Sequence, residues 1–316
     1  MAMTWLVTGG AGYIGSHVVN SFIESDISVA ILDNFSSGIY KRCPEGIKVF
    51  ESDICDLQDL QRIFNSTKFS GVIHCAAKKS VEESINFPEL YEKVNVIGTS
   101  NLLDAALKSG VRNFVYSSSA AVYGNQEQQM VNETAICNPV SPYGKTKLAA
   151  ENLVTQAKSN GLNVCSLRYF NVAGAKNKKL ADTSVNNLFP IILNQLLKGL
   201  QPHIFGTDYQ TPDGTCIRDY VHVVDVAEVH KLIALKLENN ELPSVINVGT
   251  GVGISVKEVI DAFTVALNSK IVPILDPRRP GDISQLVADV QLLKDTLGYV
   301  PTRGLNEIVS SLVALV

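Results

Sequence analysis

Thr8-Gly9-Gly10-Ala11-Gly12-Tyr13-Ile14-Gly15-Ser16-His17 is the stretch that decides the fold. The short apolar run before it, 4–8, has the length of a buried strand. The residues after it, 13–24, show helical periodicity. Strand, glycine turn and helix is the setting of a dinucleotide phosphate loop. Glycines allow the tight turn and the close approach of backbone N–H groups to a pyrophosphate, and the helix N-terminus adds partial positive charge. The spacing is Gly9-x-x-Gly12-x-x-Gly15, with Gly10 as an extra glycine. A second apolar strand at 28–32 ends in Asp33-Asn34. A carboxylate this far beyond the glycines suits a ribose hydroxyl and repels a 2′-phosphate, which favours NAD over NADP. The alternative for Asp33 is an ordinary acid in a loop after a strand.

The same alternation runs outward from this unit. Strands are expected at 47–50, 71–75, 113–116 and 163–168, with helices at 57–65, 88–109 and 142–159. Repeated strand–helix units make a parallel sheet with helices on both faces, and ligands bind beyond the carboxyl ends of its strands. The glycine turn, Asp33, Ala76-Ala77, Ser117-Ser118-Ser119 and Tyr169-Phe170-Asn171 all fall at such ends. The helix at 142–159 opens with Ser141-Pro142-Tyr143-Gly144-Lys145-Thr146-Lys147. Tyr143 and Lys147 stand four apart, one turn along one face. A cation beside a phenol favours the phenolate, so the pairing is expected to pull the tyrosine towards neutrality, where it can act as a general base. Taken alone, Tyr-x-x-x-Lys is common, and its plain alternative is an exposed aromatic followed by a solvated lysine. Convergence on one sheet edge is what lifts it to a candidate site.

Beyond Asn171 the texture changes. Residues 175–185 are polar and without periodicity. Helices are expected at 188–200, 224–237 and 255–267, the last with Ser255 and Glu258 in a capping box. A strand is expected at 245–248, and loops at 204–219 and 276–282. The chain thus divides into residues 1–172, a dinucleotide-binding domain, and 173–316, a smaller lobe whose chain crosses back to the first. A net charge of -4 speaks against a nucleic-acid-binding surface. No apolar run approaches the ~20 residues that span a bilayer, so no membrane segment is expected. Residues 1–6 run straight into a strand with no basic leader, and the six scattered cysteines lack metal-ligand spacing. The expectation is a cytoplasmic protein with reduced thiols and no metal.

Thr8 to Gly15, the serine run, Tyr143-x-x-x-Lys147, Arg168-Tyr169-Phe170-Asn171 and Arg218-Asp219-Tyr220-Val221-His222-Val223 together resemble the extended short-chain dehydrogenases/reductases. Asn186-Asn187-Leu188, Asp213-Gly214-Thr215 and Arg279-Pro280-Gly281-Asp282 are closer still to the UDP-glucose (UDP-galactose) 4-epimerases. The resemblance covers almost the whole chain. It implies a Rossmann-type doubly wound α/β sheet with a smaller C-terminal α/β substrate lobe. It also implies an isomerase with tightly bound NAD that inverts C4 of a UDP-hexose through a 4-keto sugar. Tyr143 would be the base, Ser119 would hold the 4-oxygen, and Lys147 would hold the nicotinamide ribose. Gly9, Gly12, Tyr13, Ile14 and Gly15 would cradle the pyrophosphate. Asp33 and Asn34 would bind the adenosine ribose, Asp53 and Ile54 the adenine. Ala76, Ala77, Lys79, Asn95, Ser117 and Tyr169 would surround the nicotinamide end. For the UDP-sugar, Arg218 and Arg279 would grip the diphosphate and Asp282 the uridine ribose, with Phe205 near the uracil. Lys79, Asn171, Asn187, Leu188, Tyr220 and Leu286 would complete that pocket. A homodimer through the helices around Asn95 and Tyr143 is a further implication.

Three departures from the family pattern bear on specificity. Gly174 to Asp182 is short and unlike the usual loop, Ala77 replaces a glycine, and Leu286 stands where residue size sets whether N-acetyl groups fit. Leucine is intermediate, so UDP-N-acetylhexosamines stay open as substrates, alone or alongside the hexoses, as does another NAD-dependent nucleotide-sugar epimerisation. Dehydration is disfavoured because Ser118-Ser119-Ala120 offers no acid. An idle NAD-binding protein would not need Ser119, Tyr143 and Lys147 together.

Overall fold

The computed structural model describes residues 4–126, 128, 130–184, 187–238, 242–279 and 282–316. Seven parallel strands form the main sheet: β1 (Thr4–Thr8), β2 (Val29–Asp33), β3 (Val49–Glu51), β4 (Phe69–His74), β5 (Asn113–Ser119), β6 (Asn163–Tyr169) and β7 (Val245–Val248). Their spatial order is β7-β6-β5-β4-β1-β2-β3. Order reverses next to β1, so the crevice at its carboxyl end is a topological switch point.

Strand alternation explains why both faces are covered. Trp5, Val7 and Ile31 point to one face, against Val18, Val19 and Phe22 of helix Tyr13–Ile23 and Ile233 of helix Val223–Leu237. Leu6, Ala30, Leu32, Val72 and Phe114 point to the other, against Leu60, Leu102, Ala150 and Val154 from helices Leu57–Ser66, Gly98–Ser109 and Pro142–Ala157. Every β2 residue is buried, as a strand covered on both sides requires. Helix Val223–Leu237 and β7 return from the second half to this sheet, with β7 pairing β6 at its edge.

The second half carries its own core. Ile217–His222 is the centre of a second sheet, flanked by Gly253–Ser255, Gln285–Ala288 and Asn171–Ala173. Phe189, Ile192, Tyr220, Val259, Phe263, Ile308 and Leu312 pack around it. The expected capping box is formed: Glu258 N donates to Ser255 Oγ at 3.0 Å, and Ser255 N to Glu258 Oε2 at 2.7 Å.

The helix expected at 88–109 is not continuous. It runs as Pro88–Tyr91, a wide turn at Glu92–Ile97 and Gly98–Ser109, and a further short helix, Val81–Asn86, is capped by Ser80. Periodicity alone does not mark an inserted residue in a helix, and wide turns of this kind gather at functional sites. Among the described residues no helix is long and apolar enough to cross a membrane.

Candidate active site

A cavity of about 890 Å³ opens along the carboxyl ends of the strands and against the second sheet. That is near the upper end of the ~300–1,000 Å³ common for ligand sites. Gly9, Gly12, Tyr13, Ile14, Gly15, Asp33, Asn34, Asp53, Ile54, Ala76, Ala77, Lys79, Ser117, Ser119, Tyr143, Lys147 and Tyr169 line it from the first half. Asn171, Asn187, Leu188, Arg218, Tyr220, Asp282 and Leu286 line it from the second.

The glycine turn is dictated sterically. A Cβ on Gly15 would sit 2.2 Å from Gly9 O, and Gly9 holds φ +66 against Ala76 N. No side chain caps helix Tyr13–Ile23 at Gly12, so its first N–H groups face the cavity as donors. This cradle fits the pyrophosphate of a dinucleotide. Asp33 accepts from Ala11 N and Phe35 N, both at 2.9 Å. Burial pushes its carboxyl up, and the Phe35 and Ala11 amides pull the other way. Asn34 Nδ2 donates to Asp53 Oδ2 at 3.0 Å, which brings those two together on the cavity wall.

Ser141 caps helix Pro142–Ala157 by accepting from Gly144 N at 3.1 Å, with Pro142 pre-set for the first turn. A Cβ on Gly144 would meet Ala121 O at 2.6 Å, so glycine there lets the helix press against the end of β5. Tyr143 and Ser119 both line the cavity, and the Ser119 hydroxyl acts to lower the Tyr143 phenol. Lys147 is fully enclosed. Its ammonium donates to Ser117 O and stands 4.5 Å from the centre of the Tyr116 ring. Burial pushes Lys147 down to about 8, with Cys75 and Glu151 opposing. The Tyr143 expectation needs correction. Burial holds its phenol above the usual 10, and the Ser119 hydroxyl only opposes that shift. The i, i+4 argument assumed a solvated pair, but here enclosure strips water from the phenolate while Lys147 is directed to Ser117 and Tyr116.

Asn95, Phe205 and Arg279 do not line the cavity. Asn95 lies behind it, in the wide turn: it accepts from Lys78 N at 2.8 Å and donates to Lys78 O and Thr146 Oγ1. It therefore joins the chain after β4 to the Tyr143 helix. Arg279 stacks on Phe205, with Cζ 3.7 Å from the ring centre. Asn186, Pro280 and Gly281 lie outside the described residues. On the second-half wall, Arg218 Nη2 and Asp282 Oδ1 are 3.9 Å apart. Asn187 donates to Asp182, and Leu286 packs with Ala120, Tyr123 and Phe170. Sequence reasoning missed Ser36, Lys78, Lys93, Phe170, Asp182 and Phe189 as lining residues. Lys78 adjoins Lys79 in sequence, so only the fold distinguishes which of the two is held by Asn95.

Residues 5–249 match the model of the NAD dependent epimerase/dehydratase family, and the chain belongs to that family. A relative from Streptomyces lividans, named UDP-glucose 4-epimerase, is 40% identical over 98% of this chain and 95% of its own. A solved UDP-glucose 4-epimerase from Stenotrophomonas maltophila, with bound NAD and formylated UDP-arabinopyranose, superposes at TM-score 0.94. It is 36% identical over 99% of this chain and 97% of that one. The UDP-Glc/GlcNAc 4-epimerase of Campylobacter jejuni is also similar, with TM-score 0.87 and 36% identity over 99% and 98%.

Proposed function

We propose that the protein interconverts UDP-glucose and UDP-galactose by NAD-dependent inversion at C4, with Tyr143 as the proton-transferring group. The observation that carries this reading is a single cavity shared by the glycine cradle, Ser119, Tyr143 and Lys147 on one side and by Arg218, Asp282 and Leu286 on the other. NAD, when bound, supplies a hydride acceptor that can return the same hydride, and its oxidised ring adds positive charge.

Gly12, Tyr13, Ile14 and Gly15 would hold its pyrophosphate, Asp33, Asn34 and Asp53 its adenosine, and Ala76, Ala77, Lys79, Ser117 and Tyr169 the nicotinamide end. Asn95 acts from behind through Lys78 and Thr146. Tyr143 takes the proton of the sugar 4-hydroxyl as C4 loses hydride, so C4 becomes a ketone. Ser119 steadies that oxygen and favours the phenolate, and Lys147 would hold the nicotinamide ribose. Arg218 suits the diphosphate through charge-assisted bonds, with Asp282 next to it for the ribose. Held by its nucleotide, the planar sugar turns over. Hydride returns to the opposite face as Tyr143 gives the proton back, and no net oxidation remains. Arg279 and Phe205 are stacked on each other outside the cavity lining, so their expected roles at the diphosphate and uracil would require them to move.

UDP-N-acetylhexosamines are the second reading. It is favoured by Leu286, whose moderate bulk forms part of the cavity wall, and by the similarity to the UDP-Glc/GlcNAc enzyme. A homodimer belongs to the same proposal, supported by exposed Ile85, Phe87 and Ile97 on the helices near Asn95. So does a cytoplasmic setting, supported by six free thiols. Purified protein incubated separately with UDP-glucose, UDP-galactose, UDP-GlcNAc and UDP-GalNAc, without reductant, tests the activity. Epimers of at least one pair are expected, and no interconversion of any pair would sink the reading.

A further inference from the structure

Glu151 occupies the next turn of the face that carries Tyr143 and Lys147, eight and four residues on. It is 2% exposed, and the chemistry above gives it no task. Its carboxylate is fully engaged. Ser118 Oγ donates to Oε2 at 2.6 Å, Arg168 Nε to the same oxygen at 3.0 Å, and Arg168 Nη2 to Oε1 at 2.5 Å. Ser118 and Arg168 are register partners in the parallel pair β5–β6. Arg168 is itself fixed, 4.8 Å from the Tyr123 ring centre and donating to Glu133 O at 3.3 Å.

Ser118 lies between the two residues that act on the reacting pair. The Ser117 carbonyl accepts from Lys147, and the Ser119 hydroxyl shares the cavity wall with Tyr143 and acts to lower its phenol. One carboxylate on the helix therefore grips the strand at the residue between those two. We propose that Glu151 is a positioning residue of the reaction: through Ser118 it holds the Ser117 carbonyl and the Ser119 hydroxyl in register with Tyr143 and Lys147, and its anion supports the Lys147 ammonium.

The inference rests on the epimerase reading. A carboxylate hydrogen-bonded to both strands and rooted in the helix fixes three elements at once, and misplacement of about 1 Å costs up to ~100-fold in rate. Titratable groups of the sheet surround Lys147. Cys75 follows β4, His74 lies in β4, Tyr116 in β5, and Tyr169 of β6 stands beside Cys75. His74 and Cys75 are held neutral by burial at ordinary pH. On its own helix Lys147 has Tyr143 and Glu151, so Glu151 is the anion available to it at neutral pH.

Three variants test this against the parent enzyme: Glu151→Gln, Glu151→Gln/Arg168→Met and Ser118→Ala. Steady-state kcat and KM for UDP-galactose, bound NAD and the alkaline limb of the kcat profile are the readouts. Glu151→Gln is expected to lose roughly 10- to 100-fold in kcat with KM within about twofold, and to retain NAD. Its alkaline limb moves to lower pH, because Lys147 loses an anion and faces an unpaired guanidinium. The double variant removes both buried charges, so its melting temperature recovers while kcat and the limb do not. Ser118→Ala loses several-fold in kcat with the limb in place. Parent kcat and parent limb in the double variant overturn the proposal, as does parent kcat in Ser118→Ala. If neither Glu151 variant folds, Ser118→Ala decides alone. A parent enzyme that epimerises no sugar refutes the function, whereas an active parent with unaffected variants refutes only the role of Glu151.

Discussion

On the first-half wall the polar contacts run between main chain and short side chains at strand ends. Asp33 is held by Ala11 N and Phe35 N, Lys78 is held through both backbone groups by Asn95 behind the wall, and no side chain caps the helix at Gly12. On the second-half wall, side chains engage one another: Arg218 stands near Asp282 and Asn187 bonds to Asp182, while outside the cavity lining Arg279 lies on Phe205 and Arg278 bonds to Asp208. The first wall is a template whose donors are positioned by secondary structure. The second is a set of paired side chains, whose contacts the proposed diphosphate would replace. Binding on the first wall should therefore be damaged by steric change, and on the second by charge removal.

Tyr143, where the two walls meet, should show the largest effect. Tyr143→Phe is expected to lower kcat by on the order of 1,000-fold while NAD and UDP still bind, a range usual for losing a general acid–base group. Full turnover in that variant would remove Tyr143 as the proton carrier.

Gly15→Ala tests the template. Its methyl would lie 2.2 Å from Gly9 O, and neither atom belongs to a flexible side chain. An overpacking cost of about 3 kcal/mol corresponds to roughly 100-fold weaker NAD binding. NAD titration alongside UDP titration decides the point, with UDP affinity expected to stay within about threefold. Equal losses for both ligands would erase the distinction between the walls.

Arg218→Met is the matching probe of the second wall. Loss of a charged hydrogen-bonding partner should weaken UDP binding by roughly 10- to 100-fold and flatten its salt dependence, with NAD binding unchanged.

The smallest effect is on stability in acid. Burial is the main reason that His17, His222 and His230 are pushed down to about 4 and His74 to about 3. The folded chain keeps these imidazoles neutral where the unfolded chain protonates them. The unfolded state then binds more protons between the usual histidine range, about 6.5, and about 4, so stability falls as pH drops through that window. Melting temperatures at pH 7 and pH 5 should differ by several degrees. A flat profile would contradict the burial of these rings.

How far the sequence carries depends on what sets each feature. Strand and helix positions in the first half follow from alternation and from glycines whose Cβ atoms would collide with backbone, and such constraints are local. The Glu92–Ile97 turn that aims Asn95 at Lys78 and Thr146 depends on partners 17 and 51 residues away, which a helical period does not record. The direction of the Tyr143 shift also needs the fold, since it turns on enclosure rather than on spacing to Lys147. Glycine 144 was visible only as a neighbour of Tyr143; its contact with Ala121 makes it a spacer that brings the helix to the strand. In the second half, Arg279 is legible as a cation but its resting place on Phe205 is not.

Asp219 lies in Ile217–His222, the central strand of the second sheet. Its buried carboxylate accepts from Thr250 N and Oγ1, from Gly251 N and from Ala288 N, across 31, 32 and 69 residues of chain. Contacts this distant close large loops, whose entropy must be met before the bonds reward it. The wall that bears Arg218 and Leu286 is thus pinned through one carboxylate to two further segments of the chain. Since one carboxylate ties those amides, they open as a unit. Hydrogen exchange should show Thr250, Gly251 and Ala288 rising and falling together, with the substrate wall as the least protected part of the buried structure.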